Sequence, residues 1–305
     1  MNFFYKGILY IVVLFNIIKG VFIITILGFS IWTLLLFIPV GVIAGILSTV
    51  TGLASLASYP ALLYFTGGAL NPISANITNT SALLFNVVSS GLSSKQELKG
   101  HGKELMKVMT IIFFGGIVGV ILLTLLPSKD FEYAVPVFIA AAGIGILLPS
   151  KDTTKANTST EFAEKSVGSK KMLADLALII GYFLIGIYGS YFGAAAGVIL
   201  LAVLSRTSKD PFPVYNAIRN VAMGSANVIG TILYSFKYGQ HGSTHIYWAL
   251  AIPLGIGFLI GGYVGPKLVR VLPTKLIKIV TGILALVLAY TQFSSAYNIR
   301  LFYFF

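Results

Sequence analysis

Two stretches decide how this chain folds: Gly45-Ile46-Leu47-Ser48-Thr49-Val50-Thr51-Gly52-Leu53-Ala54-Ser55 and Gly186-Ile187-Tyr188-Gly189-Ser190-Tyr191-Phe192-Gly193-Ala194-Ala195-Ala196. In each, a break of small and hydroxylated residues separates two apolar runs. The run after the break, 53–67 in one case and 194–205 in the other, is shorter than the about 20 apolar residues a bilayer crossing needs. Each pair therefore reads as a helical hairpin or a broken helix. Backbone released from helical hydrogen bonding at membrane depth is tolerated only where it is buried in protein or lines a cavity. The breaks are thus the first places to look for a site.

The two stretches belong to a longer correspondence. With an offset of 141 residues, Gly45 matches Gly186, Gly52 matches Gly193, Pro72 matches Pro213, Asn79 matches Asn220 and Asn86 matches Asn227. Beyond a five-residue insertion the offset becomes 146. There Gly115-Gly116-Ile117-Val118-Gly119 matches Gly261-Gly262-Tyr263-Val264-Gly265, and Leu126-Pro127-Ser128-Lys129 matches Leu272-Pro273-Thr274-Lys275. Single glycine matches mean little in membrane segments, but constant order and spacing over so long a stretch point to an internal duplication.

Composition supports a membrane setting. The 305 residues are 57% hydrophobic and 10% charged, against about 25% charged in soluble domains, and mean hydropathy is +0.92. Further candidate spans are 7–29, 33–50, 73–93, 105–126, 132–149, 172–190, 213–236, 246–266 and 275–293. The net charge of +12 does not mark a nucleic-acid binder, because Lys and Arg sit in the short connections where the positive-inside rule places them. Equivalent connections of the two halves carry opposite bias: 94–107 holds Lys95, Lys99, Lys103 and Lys107, while its counterpart 236–247 holds only Lys237. If the halves face opposite ways, connections 94–107, 150–171, 206–210 and 267–278 share the cytoplasmic side and Lys and Arg split 15 to 3. Parallel halves would give 11 to 7. The expected fold is an all-α polytopic membrane protein of two inverted-topology repeats, each with a broken helix or re-entrant hairpin. The expected layout is an additional N-terminal helix in 1–32, the first repeat in 33–149, a cytoplasmic linker in 150–171, the second repeat in 172–293 and a tail in 294–305. Residues 2–18 could instead lie at the membrane interface.

Polar groups at membrane depth are costly unless they are satisfied, and they mark function. Asn79 and Asn86 are two helical turns apart, on one face with Ala75, Ala82 and Ser90 and flanked by Asn76 and Thr80. Asn220 and Asn227 repeat the spacing, with Asn216 and Thr231 on the same stripe. These amides either line a pathway or join helices. Arg219 lies about 9 Å along its helix from Pro213, at about 1.5 Å per residue. It must pair, snorkel or face a water-filled cavity. No carboxylate is predicted at its depth, so an anionic ligand suits its planar cation. Half-helix N-termini near Gly52–Ser55 and Gly193–Ala196 would add backbone N–H groups and positive dipole ends. The candidate substrate-binding residues are Thr51, Gly52, Ala54, Ser55, Asn79, Asn86, Gly193, Ala195, Arg219, Asn220 and Asn227. No enzyme is expected, since His101, His241 and His245 all sit in connections and no HExxH, GxSxG or P-loop occurs. Neither a cofactor nor a metal is expected, and the chain has no cysteine.

The stretch from Gly45 through Pro60, continued by Asn71-Pro72-Ile73-Ser74-Ala75-Asn76-Ile77-Thr78-Asn79 to Ser89-Ser90, resembles the first-repeat motif of the sulfite exporter TauE/SafE family. Gly186 to Gly197, with Asn216-Ala217-Ile218-Arg219-Asn220, resembles its second-repeat counterpart. The resemblance covers about residues 33–293. It implies a multi-pass transporter of small sulfur anions such as sulfite, sulfonates or related organosulfur acids, with export across the bacterial plasma membrane as the expected direction. The family's glycine-rich run is represented here by Gly52-Leu53-Ala54-Ser55-Leu56 and, in the second repeat, Gly193-Ala194-Ala195-Ala196-Gly197. The partners this implies are a small anionic sulfur substrate and the lipid bilayer, and the sequence does not give the oligomeric state. The competing class is a membrane scaffold or assembly protein whose amides only hold helices together.

Overall fold

A computed structural model describes residues 25–26, 28–125, 135–148, 167–191, 193, 195–238 and 244–296. A two-strand hairpin, β1 (Thr25–Ile26) and β2 (Phe29–Ser30), precedes the helices. These are α1 (Ile31–Thr51), α2 (Ser55–Tyr64), α3 (Pro72–Ser93), α4 (Lys95–Leu98), α5 (Gly102–Leu125), α6 (Val135–Leu147), α7 (Val167–Tyr191), α8 (Ala196–Thr207), α9 (Phe212–Tyr238), α10 (Trp248–Val271) and α11 (Thr274–Ala296). Helices within α1, α5, α7, α10 and α11 are long and apolar enough to cross a membrane. The chain is an all-helical polytopic membrane protein.

Several boundaries differ from those expected. A helix over 7–29 does not reach its predicted end, because Thr25 and Ile26 pair with Ser30 and Phe29 as a hairpin; residues 1–24 and 27 lie outside the described residues. Helix α7 begins at Val167, inside the stretch expected as linker. A helix satisfies its own backbone, so it runs past the apolar core into polar sequence such as Ser169-Lys170-Lys171. The rest of the linker, 150–166, and the tail beyond Ala296 lie outside the described residues.

The breaks form where predicted. Gly52 takes φ +86° and caps α1, its N–H donating to Leu47 O (3.1 Å) and Ser48 O (2.9 Å), the left-handed termination that glycine permits. Helix α2 is 10 residues long and α8 is 12, about 15 and 18 Å at about 1.5 Å per residue. Neither could cross a hydrocarbon core of about 30 Å, so each is a half-helix. Helix α3 starts at Pro72 with Asn71 as its cap, whose side chain accepts from the Ser74 N–H at 2.7 Å, the pairing of Asn cap and Pro first turn expected of a firm start.

Packing follows the internal correspondence. Extensive helix pairs are α1 with α10 and, in their counterparts, α7 with α5; α3 with α10 and, in theirs, α9 with α5. Helix α3 packs on its own counterpart α9, as does α6 on α11. The agreement reaches single positions: a Cβ at Gly261 would strike the carbonyl of Val42, and one at Gly115 would strike the carbonyl of Phe183. These are 141- and 146-residue counterparts. Between α3 and α9 the facing positions are Thr80 with Gly230, Val87 with Gly224 and Gly91 with Val221, so the two helices run antiparallel.

The connections gather at two ends. At one, Arg270 Nε donates to Glu97 Oε1 (2.6 Å), Arg270 Nη2 donates to Glu97 Oε2 (2.9 Å) and to the Ser93 carbonyl, and His101 Nε2 lies 3.2 Å from Asp210 Oδ1. Arg270 holds the Glu97 carboxyl below the usual carboxylate range through that hydrogen bond. This end joins 94–101, 208–211 and 267–272, three of the Lys- and Arg-bearing connections. At the other end Asn71 Nδ2 donates to Thr244 Oγ1 (3.1 Å) and the His245 N–H to Ser74 Oγ (3.3 Å). Helix α3, with 22 residues, covers about 33 Å between the two ends.

Candidate anion site between two interrupted helices

The half-helices meet backbone to backbone. A Cβ on Gly197 in α8 would stand 3.1 Å from both Cα and O of Gly52, and a Cβ on Gly52 would run into Nη1 of Arg219. Beside this contact lies a cavity of about 60 Å³. Ser48, Gly52, Ala54 and Ser55 line it from the first break, and Gly189, Gly193 and Gly197 from the second. Asn76, Asn79, Thr80 and Asn86 line it from α3, and Arg219, Asn220 and Asn227 from α9. Leu83, Val87 and Met223 supply an apolar margin.

Arg219 is 1% exposed, so it does not snorkel. Its Nη2 donates to Ser48 O (3.1 Å), Thr49 O (2.8 Å) and Asn220 Oδ1. The carbonyls that α1 leaves open at its C-terminus are thus met by a cation from the other half of the chain. Asn216 Nδ2 (2.9 Å) and Asn220 Nδ2 (3.1 Å) donate to the same Thr49 carbonyl. This anchoring fixes the guanidinium plane and leaves Nε and Nη1 without a hydrogen-bond partner among the described residues. A buried cation in the wall of a polar hollow, with two donors unpartnered among the described residues, is chemically suited to an anion.

The remaining amides divide between structure and lining. Asn86 Nδ2 donates to Ser48 Oγ at 2.9 Å and Asn79 Nδ2 to Ser55 Oγ at 3.4 Å, while the Oδ1 atoms of both find no partner among the described residues. Nine of the eleven residues picked from sequence line the cavity. Thr51 and Ala195 lie outside its wall: Thr51 Oγ1 turns back to donate to Leu47 O (2.7 Å), and Ala195, 2% exposed, turns the backbone into α8 at φ +60°. Asn216, read as part of the α9 stripe, anchors Thr49 instead. Sequence reasoning missed the carbonyl partners of Arg219, since backbone acceptors have no signature in side-chain identity. It also missed Met223, Leu83 and Val87, which look like any lipid-facing residue. Ser48 stood inside the first break but had no distinguishing neighbour.

The two breaks are not equivalent. The counterpart of Arg219 in the first half is Thr78, whose Oγ1 accepts the Tyr247 N–H at 3.1 Å. The Ser190 carbonyl in the second break accepts from the Tyr234 hydroxyl rather than from a cation. Among the described residues, one cation thus lines a cavity built from two halves.

The sequence model of the family described as Sulfite exporter TauE/SafE matches residues 34–291, which takes in both repeats and both breaks. The chain belongs to the sulfite exporter TauE/SafE family. No match was found among curated proteins or among solved structures. As a TauE/SafE protein it is a member of a membrane transporter family, in keeping with its membrane-length apolar helices. The matched TauE/SafE region starts within α1 and ends within α11, so it excludes the N-terminal segment and the β-hairpin.

Proposed function

We propose that this protein is a permease that moves small sulfur-containing anions, sulfite or sulfonates, outward across the plasma membrane. The observation that carries the reading is Arg219: fully buried, anchored through Nη2, with Nε and Nη1 lacking a partner among the described residues, in the wall of a cavity that Asn79, Asn86, Asn220 and Asn227 also line. The N-termini of α2 and α8 open at the same place, and helix N-termini favour anions. Loss of one negative charge from an inside-negative cell gains about 2.3 kcal/mol per 100 mV. Export can therefore run without a carboxylate proton relay.

We also propose that the two repeats are inverted across the bilayer. Three observations support this: α3 and its counterpart α9 run antiparallel, the packed helix pairs occur in exchanged sets, and the basic connections collect at one end. An axis in the membrane plane would then pass near the cavity, where transporters of this architecture hold their substrates.

The test is sulfite efflux from proteoliposomes holding wild type or Arg219→Ala, compared at equal incorporation. Wild type should release sulfite well above protein-free vesicles. The variant should lose that flux while still eluting as a folded protein. Flux equal to wild type would remove Arg219 from the mechanism.

A further inference from the structure

We infer that Arg206 and Arg270 decide on which side the site opens: they fasten the two halves together at the cytoplasmic end, so the cavity is reached more readily from outside than from within. This rests on the transport and inverted-repeat readings above and adds the residues that set the balance.

The distribution of arginine carries the inference. The first half, 33–149, contains no arginine, while the second, 172–293, contains Arg206, Arg219 and Arg270. Each of these reaches across to carbonyls at the C-terminal end of a first-half helix. Arg219 meets Ser48 O and Thr49 O of α1 beside the cavity. Arg270 meets the Ser93 carbonyl that ends α3 and holds Glu97 as well. Arg206, in the last turn of α8, donates through Nη2 to Gly145 O (2.8 Å) and Leu148 O (3.3 Å), where α6 ends. A helix C-terminus presents unpaired carbonyls and about half a negative charge, which a cation satisfies. The internal correspondence puts Phe65, Thr78 and Thr124 at the equivalent positions of the first half, so no reciprocal arginine holds a second-half helix end.

Arg206 and Arg270 act at one end of the molecule. Asp210, four residues beyond Arg206, meets His101 of the first half there at 3.2 Å. At the opposite end the halves meet, among the described residues, through neutral groups: Asn71 with Thr244, Ser74 with the His245 N–H and Thr78 with the Tyr247 N–H. In an inverted-repeat transporter the site is reached by parting the halves at one end or the other. Identical halves would make the two openings equal in energy. Charged caps at one end alone make opening there the costlier. Both arginines are exposed, so each biases the balance a few-fold and does not lock it.

Cysteine accessibility tests this with no substrate present, so its failure and the failure of the sulfite reading are distinguishable. Met223 lines the cavity, and Met223→Cys gives the full chain its one cysteine. Its rate of modification by a membrane-impermeant methanethiosulfonate is measured in right-side-out and inside-out membrane vesicles. Modification should be faster from the outer face. Arg206→Gln and Arg270→Gln should each raise the cytoplasmic rate about threefold, and together about tenfold, with no gain from the outer face. Arg270→Lys, which returns a cation to the end of α3, should recover part of the wild-type rate. Lys267→Gln, at the same end but seated over the Tyr263 ring of its own helix at 4.1 Å, should change neither rate. Equal gains from both faces would mean that the arginines only hold the fold together, and would overturn the assignment. A gain from the outer face alone, an unchanged cytoplasmic rate in the double variant, or no labelling from either face would overturn it too.

Discussion

Arg219 and Ala195 show how single positions hold the site together. The guanidinium is bound on one edge by the Ser48 and Thr49 carbonyls and lacks a partner among the described residues on the other, so the residue caps a helix end and, in the proposed reading, binds the anion. Ala195 has the one positive φ (+60°) outside glycine among the described residues. A Cβ in that conformation costs about 1–2 kcal/mol. Strain of this kind persists where the surrounding structure over-determines the backbone, often at functional sites. Ala195→Gly should therefore raise stability by up to about 1 kcal/mol, since glycine's greater unfolded-state freedom offsets part of the relief. Thermal unfolding in detergent reads this as a higher midpoint; a lower midpoint would mean that the Ala195 side chain contributes packing that outweighs the strain. Sequence singled out Arg219 because a cation at membrane depth demands a reason. It picked Ala195 as a binding residue of the second break but gave no sign of its strained backbone, since that angle depends on how α7 and α8 meet.

At the scale of elements, the interrupted helices were legible and their packing was not. The breaks announced themselves because small residues interrupt apolar runs too short to span. The span pattern also marked α3 and α9, although neither passes as a membrane helix by hydropathy; most of their Asn, Ser and Thr residues are buried against protein. Which helix meets which could not be read, because glycine spacing fits many partners. The structure pairs α1 with α10 through Gly41 against Gly257 and Gly45 against Gly261, a close approach of the GxxxG kind. A Cβ on Gly257 would strike the Ile38 carbonyl and stand 2.7 Å from Gly41 Cα, so the helices would have to part. Gly257→Val should cost about 3 kcal/mol or more, beyond ordinary overpacking because the obstacle is backbone. Gly102→Ala, where nothing lies within 4 Å, should change stability by less than about 1 kcal/mol. Unfolding midpoints of the two variants check this; equal midpoints would contradict the packing.

Across the whole molecule, the duplication was the most informative feature of the sequence, and its consequence is an exchange. Each half's first long helix packs on the other half's later one, α1 on α10 and α7 on α5, so neither repeat closes its own core. That exchange brings Gly52 against Gly197 and places Arg219 of the second half under the helix end of the first. The charge count favours opposed halves, and the contacts between Glu97 and Arg270 and between His101 and Asp210 bring three of the four basic connections in that count to one end. The account depends on equivalent connections of the two halves facing opposite sides of the membrane. Because the chain has no cysteine, single introduced cysteines report sidedness without background. Ala69, in the connection between α2 and α3, and Lys209, in the equivalent connection between α8 and α9, are both exposed. In intact cells a membrane-impermeant maleimide should label Ala69→Cys and should label Lys209→Cys only after the membrane is opened. Labelling of both from the same side would contradict inverted repeats and, with them, the site between their interrupted helices.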